Sequence, residues 1–289
     1  MGTKERLDLL VTERRLIRSR SRAQRMIMAG RVRVNGETVC RPGHMVDSQA
    51  AIDLVAAERY VSRGGDKLAQ ALDDFRVDPK GRVCLDVGSS TGGFTDCLLQ
   101  RNAARVHCVD VGRGQLDWRL RNDRRVALHE GLNARYLTRD DIGEVVDLAT
   151  IDVAFISLRL VLPPVLAVVR EEGDVVALVK PQFEAGRGKV TRGGVARDEE
   201  THRDVLHVLQ SFLIEKTRWP VVGAAFSPLL GPAGNIEFFL HLRAAPASAP
   251  RAVDLDALVA RAHAALASSH PAPPSREEMG GREDAGRAD

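Results

Sequence analysis

At 289 residues, 44% hydrophobic and 28% charged, the chain has the make-up of a globular protein with one large or two smaller domains, not of a disordered or fibrous one. Aromatic residues are sparse at 4%, so the core has to be aliphatic. The net charge is only +3, yet the window from Arg14 to Arg41 holds nine arginines against one acid, Glu37, and carries +8. A basic segment in an otherwise slightly acidic chain implies a polyanionic partner. The four cysteines, Cys40, Cys84, Cys97 and Cys108, form no C-x-x-C pair; they read as reduced thiols, and no metal site is visible. The N-terminus has no apolar stretch fit for a signal peptide. The most apolar window, Leu148 to Val169, is interrupted by Asp152, Arg159 and the pair Pro163-Pro164, which argues against a transmembrane helix. A cytoplasmic protein with no membrane association and no metal is expected.

Taken in chain order, Lys4 to Ile17 carries Leu7, Leu10, Val11 and Leu16 at near-helical spacing, which predicts a first helix. A second follows from the serines at Arg18 to Ser21, with Ala23, Met26 and Ile27 on one face, and Gly30 ends it. In "RVRVNGETV" Val32 and Val34 alternate with arginine, and Asn35-Gly36 signals a two-residue hairpin turn. A further strand is expected near Met45 to Val55. Arg18, Arg20, Arg22 and Arg25 at the start of the second helix, with Arg31 and Arg33 on the strand after it, could form one phosphate-tracking face; an ordinary solvated charged face is the alternative. "SRAQRMIMAGRVRVNGETVCRPGHMV" resembles the small RNA-binding domain of the ribosomal-protein S4 type, over roughly Thr3 to Val55. The candidate RNA contacts of this domain are Arg14, Arg18, Arg20, Arg22, Arg25, Arg31 and Arg33.

After a bridge from Ala56 to Val61 the pattern changes to alternating strands and helices. Strands are expected at Val83–Gly88, Arg105–Asp110, Arg125–His129, Val145–Asp152 and Asp174–Lys180, with a helix at Gly92–Arg101 and a closing strand pair at Trp219–Ser227 and Asn235–Leu242. Such alternation implies an α/β fold, an open and mostly parallel sheet with helices on both faces. Ligands of these sheets bind at the carboxyl ends of the strands. Asp152, Lys180 and Glu237 fall at the ends of apolar runs, and Lys67 follows in "VSRGGDKL", just ahead of the Gly-rich loop "CLDVGSSTGGF". Four charges at or near strand ends around such a loop look like an active site. Unconnected salt bridges are the alternative.

The loop is not the dinucleotide motif, because Ser90 stands at the second glycine position. Asp86 with this loop, and Asp110 at the end of the next strand, resemble the S-adenosylmethionine site of Rossmann-like methyltransferases. The candidate cofactor residues are Asp86, Gly88, Ser89, Ser90, Gly92, Gly93, Phe94, Asp110, Asn133 and Asp152. "DVGSSTGGF" is also similar to the loop of FtsJ-type ribose methyltransferases, which place Lys, Asp, Lys and Glu around a target 2′-hydroxyl. The matching catalytic candidates are Lys67, Asp152, Lys180 and Glu237. Through "RYVSRGGDKL", "FISL", "VKPQFE", "GGV" and "GNIEFFL", the chain from Thr3 to about Arg243 resembles the TlyA family, which joins an S4-type domain to an FtsJ-like one. The bridge departs from the family's Arg-x-Trp-Val, with Glu58-Arg59-Tyr60-Val61 in its place.

The resemblance implies a Rossmann-like methyltransferase fold with a seven-stranded sheet. It also implies S-adenosylmethionine as cofactor and ribose methylation of cytidine in ribosomal RNA, on both subunits if the N-terminal helix is complete. A 2′-hydroxyl is a poor nucleophile that must lose its proton as the methyl group arrives. Lys180 is the candidate base or charge stabiliser, Asp152 orients it, and Lys67 and Glu237 position the hydroxyl. Arg63, Phe155 and Lys189 are the candidate RNA contacts of this second domain. Phe155 either stacks on an extracted base or belongs to the core, and the Gly-rich segment Glu184–Arg197, which holds Lys189, reads as a mobile substrate-side loop, with an ordinary surface loop as the alternative. The expected domains are residues 1–55, a linker at 56–61, a catalytic domain at 62–243 and a tail at 244–289, largely disordered apart from a short helix near Leu255–Leu266. A monomer is expected. Two other functions compete: a hemolysin, which lacks a readable membrane-inserting segment, and a non-catalytic RNA-binding protein that kept the fold.

Overall fold

The computed structural model describes residues 3–28, 30–55, 58–191, 193–244 and 253–266. The chain divides into two compact units, Met1–Arg59 and Tyr60–Asp289. In the first, Lys4–Arg6 is a strand (β1), because it pairs antiparallel with Met45–Asp47 (β4). The first helix therefore begins only at Leu7. This α1, Leu7–Glu13, buries Leu7, Leu10 and Val11 on one stripe, and the chain turns out of it at Arg15, whose φ is 57°. The helix expected over Lys4–Ile17 is thus half that length. The second helix, α2 (Arg20–Met28), buries Ala23 and Ile27 one turn apart. Gly30 then reverses the chain with φ 69°.

Val32–Val34 (β2) and Glu37–Thr38 (β3) form the expected hairpin, with both Asn35 and Gly36 left-handed, as this turn requires. The single strand expected near Met45–Val55 is two. Asp47 accepts the Gln49 backbone N–H at 2.8 Å and bends the chain. Ile52–Leu54 (β5) then pairs with β2 in a different sheet from β4. Beneath these elements Asp8 is fully buried. It accepts from Arg6, Arg20 and Gln24 at 2.9–3.1 Å, and the Arg6 guanidinium holds its carboxyl well below the usual carboxylate range.

The second unit opens with α3 (Gly64–Phe75). It continues through β6 (Val83–Val87), α4 (Gly93–Gln100), β7 (Arg105–Asp110), α5 (Trp118–Arg121), β8 (Val126–Glu130), α6 (Arg139–Ile142), β9 (Val146–Ile151) and α7 (Leu158–Val168). It closes with β10 (Val169–Val179), α8 (Pro181–Glu184), α9 (Glu199–Lys216), β11 (Val221–Phe226), β12 (Phe238–Leu242) and α10 (Leu255–Leu266). The sheet order is β11-β12-β10-β9-β6-β7-β8. Five strands are parallel, and β12 runs antiparallel to both its neighbours. Along β10, Val175, Ala177 and Val179 face one apolar cluster with α7, α9 and α10, while Val176 and Leu178 face another with α3 and α4. A parallel sheet has to be covered on both faces in this way. Cys84, Cys97 and Cys108 lie in that interior and Cys40 is exposed.

The apolar core does not stop at residue 243. Helix α10 buries Leu255, Leu258, Val259, Ala262 and Leu266 against α9 and β11, so this part of the expected tail belongs to the second unit. The stretch expected to be disordered, Ser268 to Asp289, lies outside the described residues. With Leu258 only 2% exposed, Leu258→Ala should cost about 2–5 kcal/mol in a urea titration, the usual range for emptying a packed leucine site. A midpoint unchanged from the parent would mean that α10 is not packed there.

Candidate active site

Three of the four predicted charges gather at the edge of the sheet where the parallel strands end. Asp152 follows the last residue of β9, and its N–H donates to the Val87 carbonyl of β6 at 2.9 Å. Lys180 follows β10 and caps α8, with Pro181 at the first helical position. Glu237 precedes β12, and because that strand is antiparallel its first residue, Phe238, lies opposite Val179. The fourth charge is placed differently from the strand-end reading. Lys67 stands in the first turn of α3 and reaches the edge from the helix layer.

The four charges form two pairs. Lys67 Nζ donates to Glu237 Oε2 at 2.6 Å, and Lys180 Nζ lies 2.5 Å from Asp152 Oδ1. The Lys67–Glu237 pair is almost wholly removed from water, with side chains 9% and 0% exposed, whereas Lys180 and Asp152 keep 15% and 24%. Burial pushes the Glu237 carboxyl up from its ordinary value, and the nearby Lys67 ammonium works against that shift. Glu237 Oε1 has no hydrogen-bond partner among the described residues.

Two cavities meet here. A small one, about 270 Å³, is lined by all four charges with Ser62, Arg63, Gly64, Ser89, Thr91, Gly93 and Phe94. A larger one, about 550 Å³, is lined by Asp110, Gln115 and Asn133 with an apolar wall that includes Val87, Val109, Leu132 and Ile156. Gly88, Ser90 and Asp152 border both. The chain closes in at Gly88, where an added Cβ would lie 2.3 Å from the Asp152 carbonyl, so only glycine allows the loop to sit over β9. Asp110 is held facing the cavity by the Ser90 and Gly112 N–H groups at 2.8 and 2.7 Å. A carboxylate keeps further acceptor positions after two such bonds. An acid beside an apolar slot fits a nucleoside, with hydroxyls to the acid and a flat base in the slot.

The expected cofactor set is therefore divided. Gly88, Ser90, Asp110, Asn133 and Asp152 line the larger cavity, and Ser89, Gly93 and Phe94 line only the smaller. Gly92 and Asp86 line neither. An added Cβ on Gly92 would meet Leu120 at 2.3 Å, so its place is in packing against α5. Asp86 is fully buried beneath the loop and accepts from the Thr95 hydroxyl at 2.6 Å. Ser62 and Gln115 line the cavities although neither is among the residues expected from sequence. Ser62 sits inside the "RYVSRGG" motif, while Gln115 has no signal beyond its place in the loop after β7. Among the described residues no group of three or more His, Cys, Asp or Glu is placed to hold a metal ion.

The RNA candidates also separate. Arg63 is exposed at the mouth of the small cavity, and Phe155 is 91% exposed beside the large one, not in the core. Lys189 does neither. It pairs with Asp204 at 2.5 Å and lines a separate groove with Arg159, Glu184 and His207. Its segment is also anchored, since Asn235 bonds Ala196 N–H and the Gly194 carbonyl. In the first unit Arg14, Arg18, Arg20, Arg22, Arg25 and Arg33 are exposed and Arg31 is half-buried. Arg20 is engaged by buried Asp8. Arg14 donates to the carbonyls of Ala50 and Ser48, so these two arginines hold the unit together.

The FtsJ-like methyltransferase family model matches residues 60–244, and the S4 domain model matches residues 5–52. The Mycobacterium tuberculosis protein described as 16S/23S rRNA (cytidine-2′-O)-methyltransferase TlyA is 46% identical over 91% of this chain and 98% of its own. Hemolysin A of Brachyspira hyodysenteriae is 39% identical over 82% of this chain and 98% of its own. A solved structure from Streptococcus thermophilus, described as a candidate hemolysin, superposes with a TM-score of 0.72 at 40% identity, covering 93% of this chain and 99% of that one.

Asp86 offers a test of how the loop is supported. Burial pushes its carboxyl up to about 7, partly offset by the Thr95 hydroxyl. Between about pH 4, the ordinary aspartate value, and about pH 7 the unfolded chain releases a proton that the folded chain retains. Stability from this group is therefore full at low pH and is lost as pH rises through that window. Asp86→Asn keeps an acceptor for Thr95 and removes the titration. Its unfolding free energy relative to the parent should rise between pH 4 and 7 in urea titrations. A difference independent of pH would contradict a buried, late-titrating Asp86.

Proposed function

Because the chain belongs to the FtsJ-like methyltransferase family, we propose that it uses S-adenosylmethionine to methylate the ribose 2′-hydroxyl of cytidine in ribosomal RNA; with α1 shorter than expected, it is the 46% identity to the protein described as a 16S/23S rRNA methyltransferase that supports both subunits as substrates. The two cavities meet at Asp152, and that meeting carries the reading. One has the acid and apolar slot of a nucleoside site, and the other has two lysine–carboxylate pairs. Asp110 would take the ribose hydroxyls of the cofactor, Asn133 and the apolar wall its adenine, and Gly88 and Ser90 the stretch toward Asp152. S-adenosylmethionine supplies an electrophilic methyl group on a sulfonium.

The residues of the chain account for the rest. The target hydroxyl enters the small cavity, where Lys67 and Glu237 hold it; the unpartnered Glu237 Oε1 suits a hydroxyl donor. Lys180 stands beside the oxygen; as the ammonium paired with Asp152 it counters the charge that develops as the O–H bond gives way, and it takes the hydroxyl proton only as the neutral amine, after its own proton has passed to solvent. Asp152 keeps Lys180 in place and lends a negative charge to the sulfonium side. Such groups act most strongly in the transition state, where charge develops. Phe155 would stack on the extracted base, and Arg63 would steer the backbone at the cavity mouth. The hemolysin reading has no comparable constellation behind it; no described helix is long and apolar enough to cross a membrane.

Lys180→Ala should lower methyl transfer to ribosomal subunits by about 10²–10⁴ while S-adenosylhomocysteine binding by calorimetry stays near the parent value. Lys180→Arg separates proton transfer from charge, because guanidinium stays protonated. Turnover near the parent with Arg leaves only the electrostatic role, and turnover near the parent with Ala removes Lys180 from the mechanism. For RNA binding, the arginines to change are exposed ones that, unlike Arg14 and Arg20, are not engaged within the unit. Arg18→Ala with Arg22→Ala should weaken RNA affinity and flatten its salt dependence by about one unit of slope for each phosphate no longer neutralised. An unaltered slope would place these two arginines away from the phosphates.

A further inference from the structure

Two segments leave the sheet side by side, residues 152–158 after β9 and residues 180–184 after β10, and three successive contacts join them. The first is the Lys180–Asp152 ion pair at 2.5 Å. The second is a ring pair, Phe155 against Phe183, with centroids 4.9 Å apart and planes inclined by 49°. The third is a two-point hydrogen bond in which the Glu184 carboxylate accepts from the Ser157 hydroxyl and from the Leu158 N–H, both at 2.6 Å. Glu184 thereby also caps the amino end of α7, where a negative charge is favoured.

The middle contact is costly to maintain. Phe155 is left-handed, with φ 63°, an outlier for a bulky residue, and the residue is 91% exposed. Backbone strain of this kind persists only where the surroundings over-determine it, and it gathers at functional sites. The surroundings here are the ion pair on one side and the Glu184 contacts on the other. The flat apolar ring they hold out lies three residues from Asp152, on the rim of the large cavity. A nucleobase is the ligand that such a face takes, since every base has a π surface for an aromatic ring to stack on.

We propose that Ser157, Phe183 and Glu184 are positioning residues: Glu184 and Ser157 latch the 152–158 segment to α8, and Phe183, inclined to Phe155 by 49°, braces it so that the Phe155 ring is the platform for the target base. The proposal rests on the methyltransferase reading above. It adds that base placement and the Lys180–Asp152 spacing are set by the same pair of segments. Loosening the far end should therefore be felt at the chemistry.

Two measurements test this in the full-length protein. Hydrogen exchange, which needs no activity, should show faster exchange at the Leu158 N–H, the amide that donates to Glu184, in Glu184→Ala, by tenfold or more. Glu184→Gln, which keeps an acceptor for Leu158, should restore protection. Methyl transfer to ribosomal subunits should fall about tenfold in Phe183→Leu, which keeps apolar volume but loses the ring. The loss should lie in kcat, with S-adenosylhomocysteine affinity unchanged. Parent-like exchange in Glu184→Ala would overturn the latch, and parent-like turnover in Phe183→Leu would overturn the platform. A parent protein that methylates no ribosomal RNA would instead overturn the functional reading, with the exchange result still reporting on the latch.

Discussion

A charge taken out of water needs a partner at short range, and Lys67 and Glu237 find each other at 2.6 Å across 170 residues of sequence. Neither could be left there alone, because one buried partner without the other is strongly destabilising. The need constrains the unit. Helix α3 must lie against the sheet so that its first turn meets the start of β12, and β12 must run antiparallel so that Glu237 arrives at the same edge as Asp152 and Lys180. The second pair, less buried, keeps access to solvent. A buried pair that fixes geometry beside a more open pair is an arrangement suited to positioning on one side and proton or charge handling on the other.

The same edge also couples the two cavities. Gly88 lies against the Asp152 carbonyl, and the Asp152 N–H is bound to Val87, so the loop that borders the larger cavity and the residue that faces the smaller one share a backbone contact. Asp86, buried below, ties that loop to α4 through Thr95. A shift in any of these would move both cavities together. Precise placement of this kind is what effective methyl transfer demands, since small misplacements of reacting groups are expensive in rate.

Much of this architecture is legible in the sequence, and the exceptions have physical causes. The β/α alternation points to the seven-stranded sheet because buried parallel strands are continuous apolar runs whose ends are marked by charge or glycine. What periodicity alone does not supply is pairing. Lys4–Arg6 reads as helix until it is known to meet Met45–Asp47, and Lys67 reads as a strand-end charge until α3 is in place. Charge density likewise does not show that Arg14 and Arg20, exposed like the other arginines, are engaged by Ala50, Ser48 and Asp8. Lys189 and Asp86 show the same limit. The first is taken by Asp204 and the second is sealed under its loop, and neither fact is written in local sequence. Leu258 and its neighbours are legible as a helix but not as core, because their partners on α9 and β11 are distant in the chain.

Incubating the protein with isotopically labelled S-adenosylmethionine and ribosomal subunits, then hydrolysing the RNA with alkali, reads the reaction at the atom concerned. A methyl group on a ribose 2′-oxygen removes the hydroxyl that attacks the neighbouring phosphate, so the label should appear in alkali-resistant dinucleotides whose 5′ member is cytidine. Label in single nucleotides, which places the methyl group on a base, or no label in RNA at all, would contradict a 2′-hydroxyl bound and activated by the two lysine–carboxylate pairs.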